Sequence, residues 1–105
     1  MKTIVIQIGN SDDKLPQELW CDFINDVADA IKDIVTLHFS GGSDPRAPWQ
    51  NYAFVGVIED EKIKGLKFIL AELCRIFKQD SIAFTIGDTY FISCPAPNNA
   101  NAGDA

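Results

Sequence analysis

Residues 16–40 read PQELWCDFINDVADAIKDIVTLHFS, and the hydrophobic period changes once within them. Leu19, Trp20, Phe23, Ile24, Val27, Ala30, Ile31 and Ile34 recur at steps of three and four, with Asp22, Asn25, Asp26, Asp29, Lys32 and Asp33 on the other side. That spacing predicts one amphipathic helix of about five turns. Pro16 suits its first turn, where a missing N–H costs nothing, and Glu18 suits the positive end of the helix dipole. From Val35 the period drops to two: Val35, Leu37 and Phe39 alternate with Thr36, His38 and Ser40, which predicts a half-buried strand ending at Ser40.

On the N-terminal side, Thr3 to Ile8 (TIVIQI) is β-branched and predicts a first strand, with Ile4, Ile6 and Ile8 on one face and Thr3, Val5 and Gln7 on the other. Gly9 closes it, and residues 10–14 are a polar connector. On the C-terminal side, SGGSDPRAPWQN (Ser40 to Asn51) has two glycines and two prolines and reads as a loop. Tyr52 to Ile58 predicts a third strand. Glu59, Asp60 and Glu61 favour a helix N-terminus, and Ile63, Leu66, Ile69, Leu70, Leu73, Ile76 and Phe77 form the apolar stripe of a second helix. Gly65 inside that helix costs about 1 kcal/mol relative to alanine, which predicts close packing there. Ser81 to Ile86 is a fourth strand. After the Gly87-Asp88 turn, Thr89 to Ile92 can return as a short fifth strand. Residues 93–105 hold no large apolar side chain and predict a disordered tail behind a single domain over residues 1–92.

Strand, helix, strand, strand, helix, strand resembles the ferredoxin-like α/β plait (βαββαβ), an α+β fold. The resemblance covers about residues 2 to 92, rests on element order and implies a four-stranded antiparallel sheet with both helices on one face. The other face is then open. It takes in Thr3, Val5 and Gln7, then Thr36, His38 and Ser40, with either Tyr52 and Phe54 or Ala53, Val55 and Val57 from the third strand. Such a mixed face is poorly suited to water, and a homodimer or larger homo-oligomer is expected to cover it.

Composition bounds the rest. The chain has 105 residues, 47% of them hydrophobic, and a net charge of −6. One core is expected. Its apolar runs fall far short of the roughly 20 residues of a membrane span, so a cytoplasmic protein without a membrane partner is expected. The negative charge disfavours duplex nucleic acid, while a local nest of donors can still hold a small anion. Cys21, Cys74 and Cys94 are odd in number and show no metal or redox spacing. Cys21 and Cys74 are expected near the core, and Cys94 exposed. No metal site and no cofactor are expected.

The loop carries the densest chemistry. Ser40, Gly41 and Gly42 can turn backbone N–H groups toward a ligand, Arg46 offers a cationic fork, Trp49 a stacking face, and Gln50 and Asn51 amide donors and acceptors. That set suits a base, sugar or phosphate, although Trp49 could equally fold back onto the core. Secondary candidates are Asn10 and Asp12, in a polar cluster with Ser11 and Asp13 after the first strand, and Gln79, Asp80 and Ser81 before the fourth. His38 is the only histidine and has no motif partner, so catalysis, if any, would run through it.

The expected function is a non-enzymatic, oligomeric module binding a small polar, nucleotide-like ligand. The alternatives are a protein-interaction or inhibitor domain and a cofactor-free enzyme of the dimeric plait type. Size, acidity and the missing catalytic motifs also resemble accessory proteins of phages and mobile elements that inhibit a host protein or sequester a signalling nucleotide.

Overall fold

In the computed structural model, which describes residues 1–95, the elements follow as β1 (Lys2–Gly9), a 3-10 turn (Ser11–Asp13), α1 (Gln17–Ile31), β2 (Thr36–Gly42), β3 (Asn51–Ile58), a second 3-10 turn (Asp60–Lys62), α2 (Ile63–Ile76) and β4 (Ala83–Gly87). The sheet order is β2-β3-β1-β4 and every pairing is antiparallel. This is the ferredoxin-like plait that the element order predicts. Residues 96–105 of the expected tail lie outside the described residues.

The alternation of β1 decides where the helices sit. Ile4, Ile6 and Ile8 are at most 1% exposed, and on the same face Phe54 and Ile58 of β3 are equally enclosed. Trp20, Phe23, Val27 and Ile31 of α1 and Leu66 and Leu70 of α2 complete that core. Both helices therefore cover one side. The Phe23 ring stacks on Phe77 just beyond α2, with centroids 4.7 Å apart, a contact worth about 0.5–1.5 kcal/mol beyond its buried area. The first helix is shorter than expected: it ends at Ile31, whose carbonyl accepts from both the Ile34 and the Val35 N–H in the turn that leads into β2.

Gly56 governs how β2 joins the sheet. It lies opposite Ile4 on the helix side, and a Cβ there would stand 2.3 Å from the Thr36 carbonyl oxygen and 2.9 Å from Val35 Cγ1. Val35, 5% exposed, fills the space that a side chain would take. Beyond this approach the register breaks: Leu37 lies opposite Gly56 and Phe39 opposite Val55, leaving His38 as the extra residue of a bulge.

The bulge overturns the expected phase of β2. Phe39 emerges on the open face, 72% exposed, and Ser40 turns to the helix side opposite Phe54. The open face thus comprises Thr3, Val57 and Thr36, then Val5, Val55, Thr85 and Phe39, then Gln7, Ala53, Ala83 and Gly41. Of the two alternatives for the third strand, Ala53, Val55 and Val57 are the ones that face outward.

Three further expectations need correction. The expected fifth strand at Thr89 to Ile92 does not form. Lys2 pairs with Asp88 at 2.7 Å and the Thr3 and Thr89 hydroxyls meet, which draws the chain toward β1 and away from the free edge of β4. Gly65 is exposed and nothing lies within 4 Å of its hypothetical Cβ, so no close packing explains it. Cys21 is exposed on α1, while Cys74 is partly enclosed and burial pushes its thiol pKa up. No helix among the described residues is long and apolar enough to cross a membrane.

The two glycines give opposite expectations. Gly56→Ala should destabilise the fold by about 1–3 kcal/mol through overpacking, whereas Gly65→Ala should stabilise it by about 1 kcal/mol through helix propensity. Urea unfolding of both variants measures this; equal midpoints would contradict the close approach at Gly56.

Candidate functional site

The end of the open face where β1 finishes, β3 begins and β4 begins carries a concave pocket of about 350 Å³. Gln7, Ala53 and Ala83 form its floor, sharing one row across three strands. Gly41, Gly42 and Ser43 supply one wall, Trp49, Asn51 and Tyr52 another, and Gly9, Ser11 and Ser81 the rim.

The loop between β2 and β3 is held at its neck. The Ser43 N–H donates to the Asn51 carbonyl at 2.9 Å, and the Asn51 N–H donates to Ser43 Oγ at 3.1 Å. Asn51 Nδ2 donates to the Trp49 carbonyl at 3.0 Å, which fixes the amide orientation and leaves Oδ1 with no donor among the described residues. Tyr52 is set by its hydroxyl, which donates to Ser40 Oγ at 3.2 Å.

Gly9 is the point on which two polar atoms converge. A Cβ there would stand 2.8 Å from Asn51 Oδ1 and 3.5 Å from Trp49 Nε1. Glycine therefore lets the Asn51 amide oxygen and the indole N–H pack close against the end of β1, and the indole N–H takes no acceptor among the described residues. Trp49 is 38% exposed and lines this pocket, while Trp20, 4% exposed, is the core tryptophan.

Several candidates fall elsewhere. Arg46 does not line the pocket. Its Nε and Nη2 donate to the two carboxylate oxygens of Asp44 at 3.0 and 2.9 Å, and its backbone N–H donates to Asp44 Oδ1 at 2.8 Å. The side-chain hydrogen bonds from Arg46 hold the Asp44 carboxyl below its usual pKa, so the fork is already satisfied by its own loop. Gln50 exchanges amide hydrogen bonds with Gln17 at 2.8 and 3.2 Å.

The secondary clusters separate in the same way. Asn10, 1% exposed, accepts from the Leu15 N–H and donates to the Leu15 carbonyl, both at 2.9 Å, and so shapes the connector after β1. Gln79, 8% exposed, donates to the Phe77 carbonyl at 3.1 Å and accepts from the Ser11 N–H at 3.3 Å, tying that connector to the end of α2. Asp80 accepts from Lys14 at 3.4 Å, and Asp12 is exposed in a left-handed turn with φ 58°. Of the two clusters only Ser11 and Ser81 reach the pocket. His38 stands exposed at the bulge with no hydrogen-bond partner among the described residues. Sequence reasoning missed Gln7, Gly9, Ser43 and Tyr52; the strand alternation that placed Gln7 on the open face was the available signal.

The lining holds no charged side chain. With a net charge of −6 on the chain, a phosphate would meet no cation here, whereas an uncharged planar ring would meet amides, hydroxyls and an indole. Among the described residues no three metal-ligating side chains come together.

Two solved structures share partial shape likeness with this chain. A DUF3240 family protein from Shewanella baltica OS155 has 12% identity and a TM-score of 0.48, covering 90% of this chain and 97% of its own. The de novo designed protein Foldit4 has 14% identity and a TM-score of 0.47, covering 85% of this chain and 96% of its own. No protein-family model and no curated protein matches.

The position of Trp49 predicts a modest stability cost on truncation. Trp49→Ala should cost less than about 1.5 kcal/mol, against about 3–5 kcal/mol for Trp20→Ala in the core. Denaturant titration of the pair checks this, and equal losses would place Trp49 in the core.

Proposed function

We propose that this chain is a non-enzymatic, homo-oligomeric binding module whose sheet-end pocket takes a small uncharged polar ring of the nucleobase or nucleoside kind. The observation that carries the reading is the pair of free groups beside Gly9, the Trp49 N–H and Asn51 Oδ1. An amide-like edge, one acceptor next to one donor, complements that pair, and the partly exposed indole offers a ring to stack on. Gln7, Ser11, Ser43 and Ser81 supply further neutral hydrogen-bonding groups for a sugar. A nucleotide would be held by its base and sugar with its phosphate outside. Arg46, paired with Asp44, is no part of this reading.

A thermal-shift panel of nucleobases, nucleosides, mononucleotides, cyclic nucleotides and inorganic phosphate tests the proposal. A ligand at a hundred times its Kd stabilises the folded state by about 2.7 kcal/mol, which raises the melting temperature of so small a domain by well over about 5 °C. Base-bearing compounds should produce the shift and inorganic phosphate should not. Trp49→Phe, which removes the N–H donor and narrows the stacking ring, should weaken binding by about tenfold or more, while Arg46→Ala should leave it unchanged. Because the lining holds no carboxylate, histidine, cysteine or amine side chain, affinity should stay flat between about pH 5 and 8. A response to phosphate alone, or loss of binding in Arg46→Ala, would overturn the reading.

A further inference from the structure

The run Thr89–Cys94, TYFISC, takes no place in the sheet, and Tyr90, Phe91 and Ile92 are 82%, 93% and 94% exposed. Its start is pinned. Lys2 holds Asp88, and the Thr3 hydroxyl meets that of Thr89 at the rim of the open face. From that rim the uncovered apolar rows extend inward through Val57, Val5 and Val55 to Phe39. Two apolar surfaces thus lie side by side on one chain, and neither covers the other.

We propose that they cover each other between copies: Tyr90, Phe91 and Ile92 of one chain lie across the open face of a second, reciprocally about a two-fold axis. The inference rests on the oligomeric part of the reading above and names the surfaces that carry it. The occupant is a second copy because each chain brings both halves of the contact. Neither half holds a charge, so the chain's net −6 sets no like charges against each other there. The area is also sufficient. Burying three such side chains removes on the order of 450 Å² from the segment and a like area from the face beneath. Exchanged reciprocally, the two contacts remove roughly 1,800 Å², within the range of about 1,200–2,000 Å² typical of stable interfaces. The covered rows adjoin the row of Gln7, Ala53 and Ala83, so the partner would also wall the ligand pocket.

Sedimentation of the full chain at tens of micromolar tests this, with two variants whose side chains are exposed in the single chain. The natural sequence should sediment at twice 11.6 kDa or more. Phe91→Asp combined with Ile92→Asp should sediment as a monomer with an unchanged circular dichroism spectrum, and Phe39→Asp on the receiving face should do the same. A monomeric natural chain overturns the oligomeric reading altogether and leaves the exposed run to a different protein. An assembled natural chain whose Phe91→Asp/Ile92→Asp variant stays assembled overturns the segment's role alone. Dissociation by that variant but not by Phe39→Asp overturns the open face as the receiving surface.

Discussion

Ile4, Ile6 and Ile8 point to one side of the central strand, and both helices must lie on that side to enclose them. A strand has two faces and this chain has helices enough for one, so the second face, with its Val5 and Val55, is left to solvent or to another molecule. The close approach at Gly56 adds to this constraint. β2 crosses with its backbone against a missing side chain, then bulges at His38 and delivers Phe39 to the bare face. The same bulge carries Gly41 onto the row of Ala53 and Gln7, where it becomes part of the pocket wall.

The pocket is built from neutral parts, and its surroundings explain how it stays neutral. The two charges nearest in sequence to its walls, Asp44 and Arg46, satisfy each other within the loop, and Lys14 and Asp80 pair beyond the rim. What remains toward the pocket is hydrogen-bonding capacity without charge. In such a site, selectivity comes from the geometry of donors and acceptors, since unpaired polar atoms beside a bound ring are costly and paired ones are modestly favourable. Gly9 matters here for a reason unrelated to chain flexibility: any side chain would push aside the Asn51 amide oxygen, which packs against it near the indole N–H.

Element order, the buried face of β1 and the helix stripes were legible because they are written in local periodicity, two residues for strands and between three and four for helices. The phase of β2 was not, since it turns on a bulge that follows directly on the close approach of Val35 and Thr36 to Gly56, and nothing in VTLHFS itself marks it. Of the loop residues singled out from the sequence, Gly41, Gly42, Trp49 and Asn51 line the pocket. Arg46 does not, and its partner Asp44 stands only two residues earlier in the same loop. Asn10 and Gln79 were secondary candidates for the site; only the fold shows that each is enclosed and spends its amide on backbone groups of the connectors. The apolar run after β4 was read as a fifth strand because its composition suits one, but pairing depends on where Lys2 and Thr3 hold the chain.

Recognition on the open face, at the end where β1 stops, is the proposal that an amide chemical-shift titration of the isotope-labelled protein with adenosine and guanosine tests most directly. The account predicts shifts concentrated at Gly9, Gly41, Gly42 and Asn51 and at the Trp49 indole N–H. Shifts confined to the outer faces of α1 and α2, or none with either nucleoside, would contradict it.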